Sequence, residues 1–145
     1  MRLVLLITFT AFLCRAALAV GPENAVLGNV SEYQAAVKLI KAENYSAAIP
    51  ILNKLDSVYP KQPELLNWLG YAHRKLKDYP NAKRFYDAAL AVEPTYRPAL
   101  EYQGMWFIET GDIASAKANL AKLMAICASC EETGDLVEAL QKAGH

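Results

Sequence analysis

The chain has 145 residues, 15 of them basic and 15 acidic, so its formal net charge is zero, and 54% of the residues are hydrophobic. With no basic excess there is no electrostatic footprint for nucleic acid, and the length suits one domain with a modest core. Of the 3 cysteines, Cys14 directly follows an N-terminal apolar run, which leaves Cys127 and Cys130 as a pair.

In chain order, residues 1–19 combine Arg2, an apolar run from Leu3 to Leu13, and Ala17-Leu18-Ala19. That is the layout of a signal peptide cleaved after Ala19. Arg15 interrupts the run, which falls short of the roughly 20 apolar residues that span a bilayer. The bulky residues before Cys14 do not suit a lipoprotein cleavage box, so Cys14 leaves with the signal. The mature chain loses Arg2 and Arg15 and so carries two more acids than bases. No later segment is apolar and long enough for stable membrane insertion, so a secreted or periplasmic location is expected. Residues 20–28 read as an irregular lead-in.

From residue 29 onward apolar residues recur at spacings of three and four, and nothing alternates with period two, so the class is all-α. Shifting the chain by 34 residues lays Ala48 on Ala82 and Ala116, Val58 on Val92 and Ile126, and Pro60 on Pro94 and Ala128. This gives three helix-turn-helix units, about 29–62, 63–96 and 97–130. Ser46 is the expected cap of the second helix, and Pro80 suits the first turn of the fourth. Pro60 and Pro94 end the second helices of their units. Residues 131–145 form one more amphipathic helix, with Leu136, Val137 and Leu140 on one face and Thr133 or Asp135 as its cap; such a helix covers the end of a repeat stack.

The middle unit carries Leu66-x2-Leu69-Gly70-x2-His73, then Ala82-x3-Tyr86, Ala89 and Pro94. That pattern resembles the tetratricopeptide repeat, with Leu66 and His73 departing from its aromatic positions. The third unit keeps Leu100, Gly104, Phe107, Ala116 and Leu120 in register; the first keeps Ala36, Leu39, Ala48, Leu52 and Pro60, with Glu32 at an aromatic position. The resemblance implies a right-handed α-solenoid whose first helices line a concave groove. Tyr33, Val37, Lys41, Asn67, Tyr71, Arg74, Lys75, Glu101, Met105 and Ile108 fall on that stripe. Tyr33, Tyr71 and Met105 are expected to supply affinity, and Asn67, Arg74 and Lys75 orientation. The Lys and Asn set with which chaperone-binding members clamp a C-terminal carboxylate is missing. Arg74, Lys75, Lys77, Lys83 and Arg84 suggest an acidic partner, set against the plainer reading of a solvated charged face.

No Ser, His and Asp arrangement, phosphate loop or paired acids mark a catalytic centre, so neither catalysis nor a cofactor is expected. His73 reads as a packed helix residue. Cys127 and Cys130 span the turn into the last helix, where Ala128 replaces the proline of the other units. In an exported chain the pair reads first as a disulfide staple. A redox pair lacks the preceding strand, and a metal site with Glu131 or His145 lacks well-spaced ligands. The function expected is a protein-protein interaction module that takes a peptide or partner helix in the groove. The alternatives are a small redox or metal-handling protein and a non-catalytic subunit of an envelope assembly. With three units, edge-to-edge self-association stays open.

Overall fold

The computed structural model describes Leu27 and residues 30–145. The expected signal segment, Cys14 and most of the lead-in lie outside the described residues. Seven helices follow: α1 (Ser31–Lys41), α2 (Tyr45–Val58), α3 (Pro63–Lys75), α4 (Tyr79–Val92), α5 (Arg97–Thr110), α6 (Ile113–Cys127) and α7 (Glu131–Lys142). Each even helix packs against the odd helix before it and the odd helix after it, and α5 also meets α3 and α7. This is the all-α helical-repeat solenoid that the 34-residue period predicts. Among the described residues no helix is long and apolar enough to cross a membrane.

The turn inside each unit repeats down to single hydrogen bonds. Glu43, Lys77 and Gly111, spaced by 34, adopt left-handed backbone with φ of 56°, 63° and 83°. Their amides donate to the carbonyls of Ile40, Arg74 and Ile108, and the next amides, of Asn44, Asp78 and Asp112, donate to those of Leu39, His73 and Phe107. This pair of bonds satisfies the carbonyls that a helix end otherwise leaves without partners. Only the third unit uses glycine, the residue that takes this conformation without strain.

Small residues set the helix separation. Ala48, Ala82 and Ala116 are fully buried, as is Ala36. At Gly70 an added Cβ would lie 2.6 Å from Cε1 of Tyr86, and at Gly104 it would lie 2.6 Å from Cδ2 of Leu136. Tyr86, Leu52, Leu55, Leu65, Leu69, Leu100, Leu123 and Leu136 are the large side chains packed out of solvent around these approaches. Leu27, the described residue of the lead-in, belongs to this core and packs with the α1–α4 residues.

Several caps differ from expectation. Asn44 precedes α2, and Ser46 lies inside the helix with its hydroxyl directed back to Asn44 Oδ1 at 3.5 Å. α7 begins after Cys130, and the amides of Thr133 and Gly134 both bond to the Cys130 carbonyl. That earlier start leaves neither Thr133 nor Asp135 at a cap. Thr133 is buried, and its hydroxyl donates to the Cys127 carbonyl at 2.7 Å, tying α7 to the end of α6. Asp78 and Asp112 do cap α4 and α6, accepting from the amides of Asn81 and Ser115 at 3.4 and 3.1 Å. α2 and α4 stop two residues before Pro60 and Pro94. With Ala128 in that place α6 continues to Cys127, and Ala128 itself keeps helical dihedrals.

Candidate interaction face

Helices α1, α3 and α5 place equivalent residues in four rows. The rows are Tyr33, Asn67 and Glu101; Val37, Tyr71 and Met105; Ile40, Arg74 and Ile108; and Lys41, Lys75 and Glu109. All ten residues expected on the groove stripe fall in these rows, but not at one depth. The first row is buried, with Tyr33, Asn67 and Glu101 only 7%, 2% and 6% exposed. Val37, Tyr71, Met105 and Ile108 are half-buried, and Lys41 and Lys75 are exposed.

Aromatic rings occupy the middle of the face. Tyr71 stands at its centre, edge-on to Tyr45 and Trp68 with centroids 6.0 and 5.8 Å away, and tilted against Tyr102 at 4.9 Å. Lys75 Nζ lies 5.8 Å from the Tyr71 ring centre. At the α1 end Tyr33 donates to Glu64 and accepts from Trp68 Nε1 at 3.1 Å, which fixes α1 against α3. Burial, and then the bond to Glu64, raise the Tyr33 hydroxyl well above the usual tyrosine range. Tyr33, Val37 and Lys41 also line an open cavity of about 380 Å³ with Gln34 and Lys38.

Arg74 departs from its expected role. It is 6% exposed, and its guanidinium donates to Glu109 at 2.6 Å while lying 5.4 and 5.9 Å from the ring centres of Tyr71 and Tyr102. A third contact reaches Met105 Sδ at 3.9 Å. Its row-mates Ile40 and Ile108 are apolar, which is the register's own sign that this row faces inward. Asn67 is likewise packed away, its Oδ1 without a hydrogen-bond partner among the described residues. Neither side chain is placed to orient a ligand as expected.

The basic cluster is internally committed too. Lys77 joins Arg74 at Glu109, Lys83 pairs with Asp87 at 2.6 Å, and Arg84 lies 4.0 Å from the Phe85 ring centre. His73 is half-buried, stacks on Phe85 and meets Asp78 Oδ2 at 2.9 Å.

Residues outside the expected stripe complete the face. Glu109 shares the row of Lys41 and Lys75, and Tyr102 shares a 34-residue register with Trp68, so carrying the period through every column identifies both.

At the α5–α7 end the face turns acidic. Glu101, Glu131, Glu132 and Asp135 line a cavity of about 170 Å³ with Pro98 and Tyr102. Arg97 Nε approaches Glu132 at 3.6 Å. Burial first, then Asp135, Glu132 and Glu131, push the Glu101 carboxyl up to about 8, with Arg74 opposing. Burial and the neighbouring Glu101 push Tyr102 up to about 12. A carboxyl raised on folding contributes stability that is full below its ordinary value of 4.5 and is lost as pH rises through about 8. Glu101→Gln is therefore expected to match the wild type in thermal melts at about pH 4 and to exceed it at about pH 9. A constant difference between the two proteins across that range would place Glu101 in solvent instead. Among the described residues no group of acids, histidines and cysteines converges as a metal site.

Cys127 and Cys130 have their Cα atoms 5.5 Å apart and their sulfurs at bonding distance, across the α6–α7 turn. Arg97 Nη1 reaches Cys130 Sγ at 2.6 Å.

Together the helix pairs define an all-α helical-repeat protein. Residues 63–96, the α3–α4 unit, match the tetratricopeptide repeat family. The fold is shared with the first tetratricopeptide domain of Spaghetti (RPAP3), solved bound to the HSP90 peptide SRMEEVD: TM-score 0.67, 21% identity, covering 77% of this chain and 90% of that one. It is shared as well with PcrH, solved in complex with the chaperone binding region of PopD: TM-score 0.68, 14% identity, covering 78% of this chain and 88% of that one. No curated protein matches the chain.

Proposed function

We propose that the protein is an exported tetratricopeptide-type docking module, without catalysis, that holds a segment of a partner protein along the face of α1, α3 and α5. The observation that carries this reading is the half-buried aromatic strip of Tyr71, Trp68 and Tyr102, backed by the buried ring of Tyr45. Rings held by their neighbours lose little freedom on binding and offer large apolar area, which is why tyrosine and tryptophan dominate binding hot spots. Both structural relatives hold a peptide or a partner segment by their own description, which supports the same use here. Tyr71 and Met105 supply contact area and exposed Lys75 polar contact, while Arg74 holds the platform in shape. Tyr71→Ala is expected to reduce cross-linked capture of the partner at least tenfold with helical content intact, and Lys75→Glu to reduce it less. Undiminished capture by both variants would remove the aromatic strip from the interface.

The cysteine pair serves this reading as a staple that fixes α7 to α6. Its loop is short, so Cys130→Ser is expected to lower stability in oxidising buffer by about 2 kcal/mol. Urea unfolding with and without reductant checks this. The Arg97 contact favours a second reading, a reducible pair, because a guanidinium beside Cys130 stabilises its thiolate. Equilibration with glutathione redox buffers separates the two, since a staple stays closed where a redox pair opens.

A further inference from the structure

The cavity between α5 and α7 is unlike the rest of the face. Four carboxylates converge on it from two helices, and among the described residues the one ion pair formed there is that of Arg97 with Glu132. Glu101 is more than nine-tenths buried and lines this cavity, and among the described residues its carboxyl has no hydrogen-bond or ion-pair partner. A buried carboxyl without a partner is costly, and a bound cation with N–H donors removes that cost. The acids do not converge as a metal site, so a coordinated ion is the poorer fit. The volume, about 170 Å³, equals that of five or six waters at about 30 Å³ each, room for an ammonium or guanidinium group. Tyr102 forms one wall and packs against Tyr71 at 4.9 Å, so the cavity is continuous with the aromatic strip.

We propose that this cavity receives an arginine or lysine side chain of the docked segment, an inference that rests on the inner-face reading above. It sets the partner's chemistry: a basic residue flanked by apolar ones. A segment with an acidic tail, such as the SRMEEVD peptide held by the relative, would meet like charge here. Glu101 is faced by Glu131, Glu132 and Asp135 from α7 and by Arg74 from α3, with Tyr102 beside it on α5. Insertion of a cation drives the Glu101 proton off, so binding tightens from about pH 7 to about pH 9.

The test is selection from a bead-displayed random heptapeptide library on the full chain. Wild type is compared with Glu101→Gln and with Asp135→Asn, a half-buried position on the α7 side of the cavity; thermal melts verify that both variants fold. The expected result is enrichment of arginine and lysine at one position by at least fivefold, beside aromatic or apolar enrichment at others. Glu101→Gln should lose the basic enrichment and its pH dependence while keeping the apolar enrichment, and Asp135→Asn should weaken it. Apolar enrichment without basic enrichment would overturn the cation pocket and leave the docking reading intact, whereas no enrichment of any kind would take both down. Spermidine and calcium are titrated separately as free cations. Binding of either, with no preference for basic peptides, would overturn the side-chain assignment.

Discussion

Tyr86→Ala is expected to lower the stability of the protein by about 3–5 kcal/mol, the range for removing a buried aromatic ring. Tyr86 is fully buried between α3 and α5, packed with Ala82 and Trp106 and pressed onto the bare backbone of Gly70. It is the side chain by which α4 holds the neighbouring unit in place. Folded domains hold only about 5–15 kcal/mol in total, so the variant is expected near the edge of folding. The same contact makes a sharper double-substitution prediction. In the wild type Gly70→Ala places a methyl 2.6 and 2.7 Å from two ring carbons, and overpacking of this kind costs about 1–3 kcal/mol. Alanine is the better helix former by about 1 kcal/mol, so with the ring removed Gly70→Ala becomes neutral or stabilising. Urea unfolding of the two single variants and the double variant should show that reversal. Simple additivity would mean that Tyr86 does not set the α3–α4 approach.

Arg74→Ala is expected to lower stability by about 2–4 kcal/mol. Removing one partner of a buried ion pair costs about 3–5 kcal/mol, and the figure is discounted because the Glu109 side chain is 29% exposed and regains water. Part of the loss is packing, since the Arg74 stem and guanidinium fill the space against Tyr71, Tyr102 and Met105. Arg74→Met keeps much of that volume and should lose about half as much. Arg74→Lys keeps the charge but not the planar contacts, and is expected to lie between the two. Thermal and urea unfolding decide the matter. A change below about 0.5 kcal/mol, the usual size for a surface site, would return Arg74 to the role of a free ligand contact.

Both residues show what the sequence makes legible. Gly70, Gly104 and the alanines at 48, 82 and 116 recur at one period, and the close approaches follow because each position has a partner one unit away. The hairpin turns are legible for the same reason, although the left-handed Glu43 and Lys77 are visible only by aligning them with Gly111. Arg74 is half legible. Its register with Ile40 and Ile108 predicts burial, while its charge suggests exposure, and only the proximity of Glu109 across α3 and α5 decides between them. The helix starts differ from those expected at Ser46, Thr133 and Asp135 because a cap's position depends on where the preceding turn ends, to within a residue or two. The acidic cavity needs α7 folded beside α5, so no local pattern reveals that Glu101 loses solvent there.

The proposed docking on the face of α1, α3 and α5 puts a partner within reach of Tyr71. Its most direct test is to place the photo-reactive residue benzoylphenylalanine at Tyr71, and separately at Val92, which is exposed at the end of α4, and to irradiate cells producing the full chain. A discrete protein adduct is expected from position 71 and none of that mass from position 92. The same adduct from position 92, with none from position 71, would contradict it.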